Sequence, residues 1–239
     1  MTYRLCAIGG VDGRIVGPRL QEAVVDDFKA AWVPERPTLG WEEAADIAVA
    51  WTRRQCAAQG RRGLLVTVAK DDLGPGSLED FARRNEWTTP RSAYRTGVAR
   101  ERPVLAFVPD EKPLAVAARY ARGSSLCVVE GFGTKLSGWA RAVGAVNLLG
   151  DGEPEPLDQR LAGALDHLHL MGNNGWSSGF GQDRAYDVLT ALADEGLLDR
   201  EAITGDLLAR GHSPESVTRL GSLIDRIAGG DTRPPRRRR

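Results

Sequence analysis

Two kinds of apolar spacing alternate along the first 150 residues. Short runs rich in Val, Leu, Ile and Ala, without strict in-out alternation, fall at residues 3–8, 63–69, 104–108, 125–129 and 145–149. Runs of that length and continuity predict strands buried on both faces, the condition of a parallel sheet. Between them the spacing changes to three and four. Trp41, Ala44, Ala45, Ala48 and Trp51 share one helical face, Leu114, Ala117, Ala118 and Ala121 another, and Trp139, Ala142 and Val143 a shorter third. Pro113 suits a first helical turn, where its missing amide donor has no intrahelical partner to lose. Gly9-Gly10 and Asp12-Gly13 are turn signals, and residues 11–40 fit neither period. The alternation predicts an α/β domain with a Rossmann-like, mostly parallel sheet flanked by helices, built from about four βα units.

Beyond residue 150 the strand pattern stops. Helical patterns cover 157–170, 183–195, 199–210 and 213–228. Ser213 is a good N-cap, Pro214 a good first residue, and Val217, Leu220, Ile224 and Ile227 form a stripe that ends at Gly229-Gly230. Gly196 and Gly211 stand where helix ends favour a residue tolerant of positive φ.

Charge sharpens this division. Residues 1–150 hold 21 Lys and Arg against 17 Asp and Glu, whereas residues 151–232 hold 6 against 15, and Arg233 opens a tail that adds five arginines. The shift falls at the polar run Gly150-Asp151-Gly152-Glu153-Pro154, so the expected organisation is an α/β domain over 1–150, an acidic helical module over 151–230 and an Arg-rich tail over 231–239. No stretch approaches the roughly 20 consecutive apolar residues of a membrane span. The opening Met1-Thr2-Tyr3-Arg4-Leu5 lacks the layout of a signal peptide, so a cytoplasmic protein without a membrane partner is expected. Cys6, Cys56 and Cys127 are odd in number, far apart and set among apolar residues, which fits buried small side chains.

Ligands of open α/β sheets bind beyond the carboxyl ends of the strands. The residues there are polar: Lys70-Asp71-Asp72, Asp110-Glu111-Lys112, and Glu130 through Lys135. Asp71 is a candidate oxygen ligand or general base, and Glu130 with Lys135 a candidate acid-base pair. Ordinary polar loops and caps have the same composition. Gly131, Gly133 and Lys135 are out of register for a P-loop, because Thr134 separates the second glycine from the lysine.

The fragment Leu126-Cys127-Val128-Val129-Glu130-Gly131, followed by a helical stretch and Gly144-Ala145-Val146-Asn147-Leu148-Leu149-Gly150, resembles the first strand of a topoisomerase-primase (Toprim) domain. That resemblance implies a glutamate at a metal-dependent phosphodiester site. It covers about 25 residues, and the Asp-x-Asp pair that would hold the metal does not follow.

Three further constellations stand out. Between residues 83 and 102 six arginines, Arg91 and Arg95 among them, surround Trp87 and Tyr94 against two glutamates. Arginines with aromatic platforms suit stacking on bases and pairing with phosphates, and equally an ion-paired interface with the acidic module. The loop around Asn173, Asn174 and Trp176 can line a pocket or simply pack between elements. His167 and His169, two apart on a helix, point to different faces and do not make a metal pair. The helices flanking Gly211 resemble a helix-turn-helix in outline, but a surplus of nine carboxylates repels DNA.

Two functional expectations follow. In the first, the chain binds a nucleotide or nucleic acid at the carboxyl edge of the sheet. Asp71, Glu130 and Lys135 are then the chemical candidates, and Lys70, Arg91, Arg95, Asn173, Asn174 and Trp176 the binding ones. Phosphodiester or glycosidic-bond chemistry is the first to test, and no cofactor is indicated. In the second, the chain is a non-enzymatic scaffold whose acidic module engages a protein partner.

Overall fold

The computed structural model describes residues 28–70, 73–93, 100–150, 156–177 and 179–230. Among these, six strands form one sheet: β1 (Lys29–Val33), β2 (Leu64–Val66), β3 (Glu86–Thr88), β4 (Pro103–Phe107), β5 (Ser125–Val129) and β6 (Val146–Asn147). Their order is β3-β2-β4-β5-β1-β6, and every pair is parallel. The Rossmann-like architecture expected from the sequence is therefore present.

The strand list differs in two places. β1 lies within residues that fit neither period, because Lys29-Ala30-Ala31-Trp32-Val33 carries two alanines, poor strand formers by composition. Its burial comes from its place between β5 and β6. β3 holds only Glu86, Trp87 and Thr88 and sits at the sheet edge, so it has no apolar run to announce it. The strand expected at 3–8 lies outside the described residues.

Alternation along the strands separates two cores. Ala31, Val33, Leu65, Leu105, Cys127 and Val129 face one side, against α1 (Trp41–Gln59) and α2 (Gly76–Arg84). Ala30, Trp32, Leu64, Val66, Val104, Ala106, Leu126 and Val128 face the other. There α3 (Pro90–Ala93), α4 (Glu111–Ala121) and α5 (Ser137–Ala142) pack. Right-handed crossovers require this split, since the chain moves one way along the sheet through β2 and β3 and the opposite way through β4, β5 and β6.

The second core continues without a break into α6 (Gln159–Met171), α7 (Phe180–Asp194), α8 (Arg200–Ala209) and α9 (Pro214–Ala228). Leu165, Leu168, Leu189, Ile203, Leu207, Leu220 and Ile224 belong to the same cluster as Val128 and Trp139. The expected stripe on α9 is core, with Val217, Leu220 and Ile224 buried. Caps hold these helices in place: Asp158, Asp199 and Ser213 each accept a backbone N–H. Gly196 and Gly211 adopt φ of 72° and 85°, as their positions require.

Two glycines set how α8 meets α5. A Cβ on Gly138 would lie 2.3 Å from the carbonyl oxygen of Glu201, and one on Gly205 would lie 2.4 Å from the amide nitrogen of Trp139. The helices touch backbone to backbone, which brings the start of α8 beside the carboxyl end of β5. Among the described residues no helix is long and apolar enough to cross a membrane.

Candidate functional site

Neighbouring strands β5 and β1 send the chain to opposite faces, β5 into α5 and β1 into α1. Chain leaving on opposite faces opens the carboxyl edge between these two strands, as it also does between β2 and β4, where the direction along the sheet reverses. Glu130 is the first residue beyond β5, and Glu35 lies just beyond β1. A short antiparallel bridge between Gly131 and Thr134 turns the following loop back on itself and carries Lys135 to these carboxylates. Lys135 Nζ stands 2.5 Å from Glu35 Oε2 and 3.7 Å from Glu130 Oε1.

The turn depends on close packing. A Cβ on Gly131 would lie 2.3 Å from Val108 Cγ1, so glycine is required where the ends of β4 and β5 meet. Val108 itself has φ of 46°, in the left-handed region that a β-branched residue enters only at a cost of about 1–3 kcal/mol. Its N–H still donates to Val129 O at 3.0 Å, which extends the sheet ladder beyond β4.

Glu130 is 5% exposed. Burial pushes its carboxyl above the usual range, opposed by the Lys135 charge and by backbone N–H groups of Leu136 and Glu35, which the carboxylate accepts; Glu201 adds a smaller upward push. The hydrogen bond to Glu35 holds the Lys135 ammonium above its ordinary value, against a lowering by burial and with further support from Glu130, Glu35 and Glu201. Three carboxylates thus share one fixed cation, and the buried member has the raised proton affinity of a general acid.

A cleft of about 290 Å³ opens beside this cluster. Thr134 and Lys135 form one wall, Glu111 at the start of α4 another, and Arg200, Glu201 and Thr204 of α8 the third. Arg200 Nε donates to Asp225 Oδ1 at 2.9 Å, so its charge is shared across the α8–α9 contact. On the far side of Gly131 the rings of Trp41 and Phe132 meet edge to face, with centroids 5.1 Å apart.

Of the residues singled out by sequence, Glu130 and Lys135 come together. Lys70 is on the same sheet edge, with Nζ 5.5 Å from the centre of the Trp87 ring, but β2 is separated from β5 by β4. Asp71 and Arg95 lie outside the described residues. Among the described residues the arginines of the 83–102 run divide between the two ends of the sheet. Arg83 pairs with Glu79 and Asp80, and Arg102, almost buried, lies 2.7 Å from Glu86. Both are near the amino ends of strands, whereas exposed Arg91 is on α3 beyond the carboxyl end of β3.

Asn173, Asn174 and Trp176 build a corner of the helical module and line no part of the cleft. Asn174 Oδ1 accepts the Trp176 backbone N–H at 3.0 Å, and Gly175 O accepts from Arg219 on α9. The Trp176 ring is buried 4.7 Å from that of His212, whose Nε2 is 2.9 Å from His169 Nδ1. Burial, with the nearby His169 and Arg210 charges, lowers the His212 pKa to about 4.

Sequence reasoning missed Glu35, Arg200, Glu201 and Thr204. Glu35 follows the unrecognised β1, and the other three occupy the first turns of α8, expected as a helix over 199–210 but with no functional residue assigned to it. Only the crossing of α8 over α5 brings them to the edge. Among the described residues no three His, Cys, Asp or Glu side chains converge as a metal-ligand set, so the metal centre implied by the Toprim resemblance has no donor set here. No family model matches the chain, and neither the curated proteins nor the solved structures compared with it contain a match.

Proposed function

We propose that the protein binds a nucleoside or nucleotide in the crevice between β5 and β1, with Glu130 as its proton-exchanging group. The observation that carries this reading is the placement of a buried carboxyl of raised proton affinity beside a fixed ammonium where neighbouring strands lead to opposite faces, next to an open cleft.

Charge orders the chemistries. Glu35, Glu130 and Glu201 outnumber Lys135, and Arg200 is held by Asp225. Such a site repels a phosphodiester backbone and instead offers acceptors to sugar hydroxyls, together with a carboxyl able to protonate a leaving group. Glycosidic-bond chemistry, which rests on paired carboxylates with separated proton affinities, fits better than phosphoryl transfer.

A thermal-shift series with the four common ribonucleosides and their 5′-monophosphates tests the reading. At least one nucleoside should raise the melting temperature by mass action. A flat response to every compound at millimolar concentration would count against the site.

Glu130→Gln separates chemistry from scaffolding. The amide oxygen still accepts backbone N–H groups, so folding stability measured by urea unfolding should stay within about 1 kcal/mol of the wild type. Hydrolysis of any nucleoside turned over by the wild type should fall by about 10²–10⁴-fold, the usual share of general acid catalysis.

A further inference from the structure

We infer that Trp41 and Phe132 form a stacking platform for the planar ring of the ligand, which makes the favoured ligand an uncharged nucleoside held through its base. The inference rests on the crevice reading and adds to it a second subsite with its own chemistry.

Trp41 is the first residue of α1, and Phe132 sits at the tip of the turn between Gly131 and Thr134. Both remain open to solvent, at 38% and 68% exposure, although each is large and apolar. They are not loose. Their interplanar angle is 85°, and Trp41 also meets Phe107 edge to face at 5.9 Å. Edge-to-face contact fixes two rings while leaving faces free for a third.

The platform adjoins the carboxyl through one peptide unit. The indole of Trp41 lies over Gly131, where an added Cβ would be 3.7 Å from its ring. Gly131 directly follows Glu130, and alternation along the strand aims the glutamate toward α8 and the glycine toward α1. Carboxyl and rings therefore flank the same strand end from opposite faces, the carboxyl on Glu130 and the rings packed over Gly131. A ligand stacked on the aromatic pair reaches the carboxylates by crossing over the strand end.

The surrounding charge narrows the ligand further. Glu42 and Glu43 are exposed in the first turn of α1, and Glu35 lies nearby in sequence. An uncharged nucleoside meets the rings without the repulsion that a phosphate or an oligonucleotide would meet. Two rings at right angles also lack the further walls of an aromatic cage for a quaternary ammonium.

Titration calorimetry with adenosine, ribose and tetramethylammonium on wild type, Trp41→Ala, Trp41→Phe and Phe132→Ala provides the test. Adenosine should bind the wild type at least tenfold more tightly than ribose. Trp41→Ala should weaken adenosine about 5- to 150-fold, the range for losing one base-aromatic stack, without changing ribose binding, and Trp41→Phe should restore most of the loss. Phe132→Ala, at an exposed turn position, should weaken adenosine while keeping the wild-type melting temperature. Equal binding of adenosine and ribose, or adenosine binding indifferent to both alanine variants, would overturn the platform and leave the crevice standing. Trp41-dependent binding of tetramethylammonium but not of adenosine would overturn it in favour of a cation site. Failure of both adenosine and ribose to bind the wild type would overturn the platform and the crevice together.

Discussion

Gly138→Ala should destabilise the protein by about 3 kcal/mol or more, the upper range for overpacking a site with no room to yield. The new methyl group would meet the Glu201 carbonyl oxygen at 2.3 Å and the Ala202 Cα at 2.8 Å. Both are backbone atoms of α8, so no rotamer change relieves the contact. Gly205 of α8 is equally close to the backbone of α5, so neither helix has a side chain at the crossing that could yield, and the methyl group is accommodated only by moving the helices apart. Any separation of the helices also carries Arg200, Glu201 and Thr204 away from Lys135 and widens the cleft. Urea unfolding of Gly138→Ala beside Gly133→Ala makes the comparison clean. Gly133 has open space around its Cβ position and no positive φ, so alanine there should change stability by about 0.5 kcal/mol or less. Equal midpoints for the two variants would remove the backbone contact as the device that positions α8.

Acid should weaken the helical module at pH values where exposed carboxylates are still ionised. His212 has a folded pKa of about 4, below the ordinary histidine value of 6.5. A lowered folded pKa means that the unfolded chain takes up the proton first. The stability tied to neutral His212 is therefore complete above about pH 6.5 and is lost as pH falls toward 4, amounting to up to about 3 kcal/mol. The groups around the ring explain the direction. Burial against Trp176 disfavours the imidazolium, and His169 and Arg210 add positive charge; buried Asp206 is tied to Arg210 by a 2.5 Å contact. Glu130 works in the opposite sense. Its raised folded pKa contributes stability below its unfolded value, lost as pH rises through the folded one, so it cannot produce the acid loss. Urea midpoints at pH 7, 5.5 and 4.5 should fall steadily in the wild type and fall less in His212→Gln, which lacks the proton site. Parallel slopes for the two proteins would locate the acid sensitivity elsewhere.

The sequence made the architecture legible where packing is repetitive. β5 has the bounds expected from its apolar run because a central parallel strand is buried on both faces along its whole length. The α9 stripe and the Ser213 cap were equally readable, since each depends on residues within one helix. β1 and β3 were not, because their burial is conferred by neighbours distant in the chain. The site divides along the same line. Glu130 and Lys135 are five positions apart and announce a strand end followed by a glycine turn, whereas Glu35 and Glu201 reach them only through the sheet order and the α5–α8 crossing. The arginine run divides for a related reason: Arg83 lies at the end of α2, Arg91 on α3 and Arg102 just before β4, so among the described residues proximity in sequence does not become proximity in space. The asparagine-rich loop likewise serves the packing around His212 and α9.

Backbone amide shifts of uniformly ¹⁵N-labelled protein titrated with adenosine locate the ligand most directly. The crevice account predicts shifts at Glu35, Trp41, Gly131, Leu136 and Glu201, with Asn173, Trp176 and the residues of α6 unmoved. Shifts centred on the helical module or the arginine-bearing segment, or none at millimolar adenosine, would contradict it.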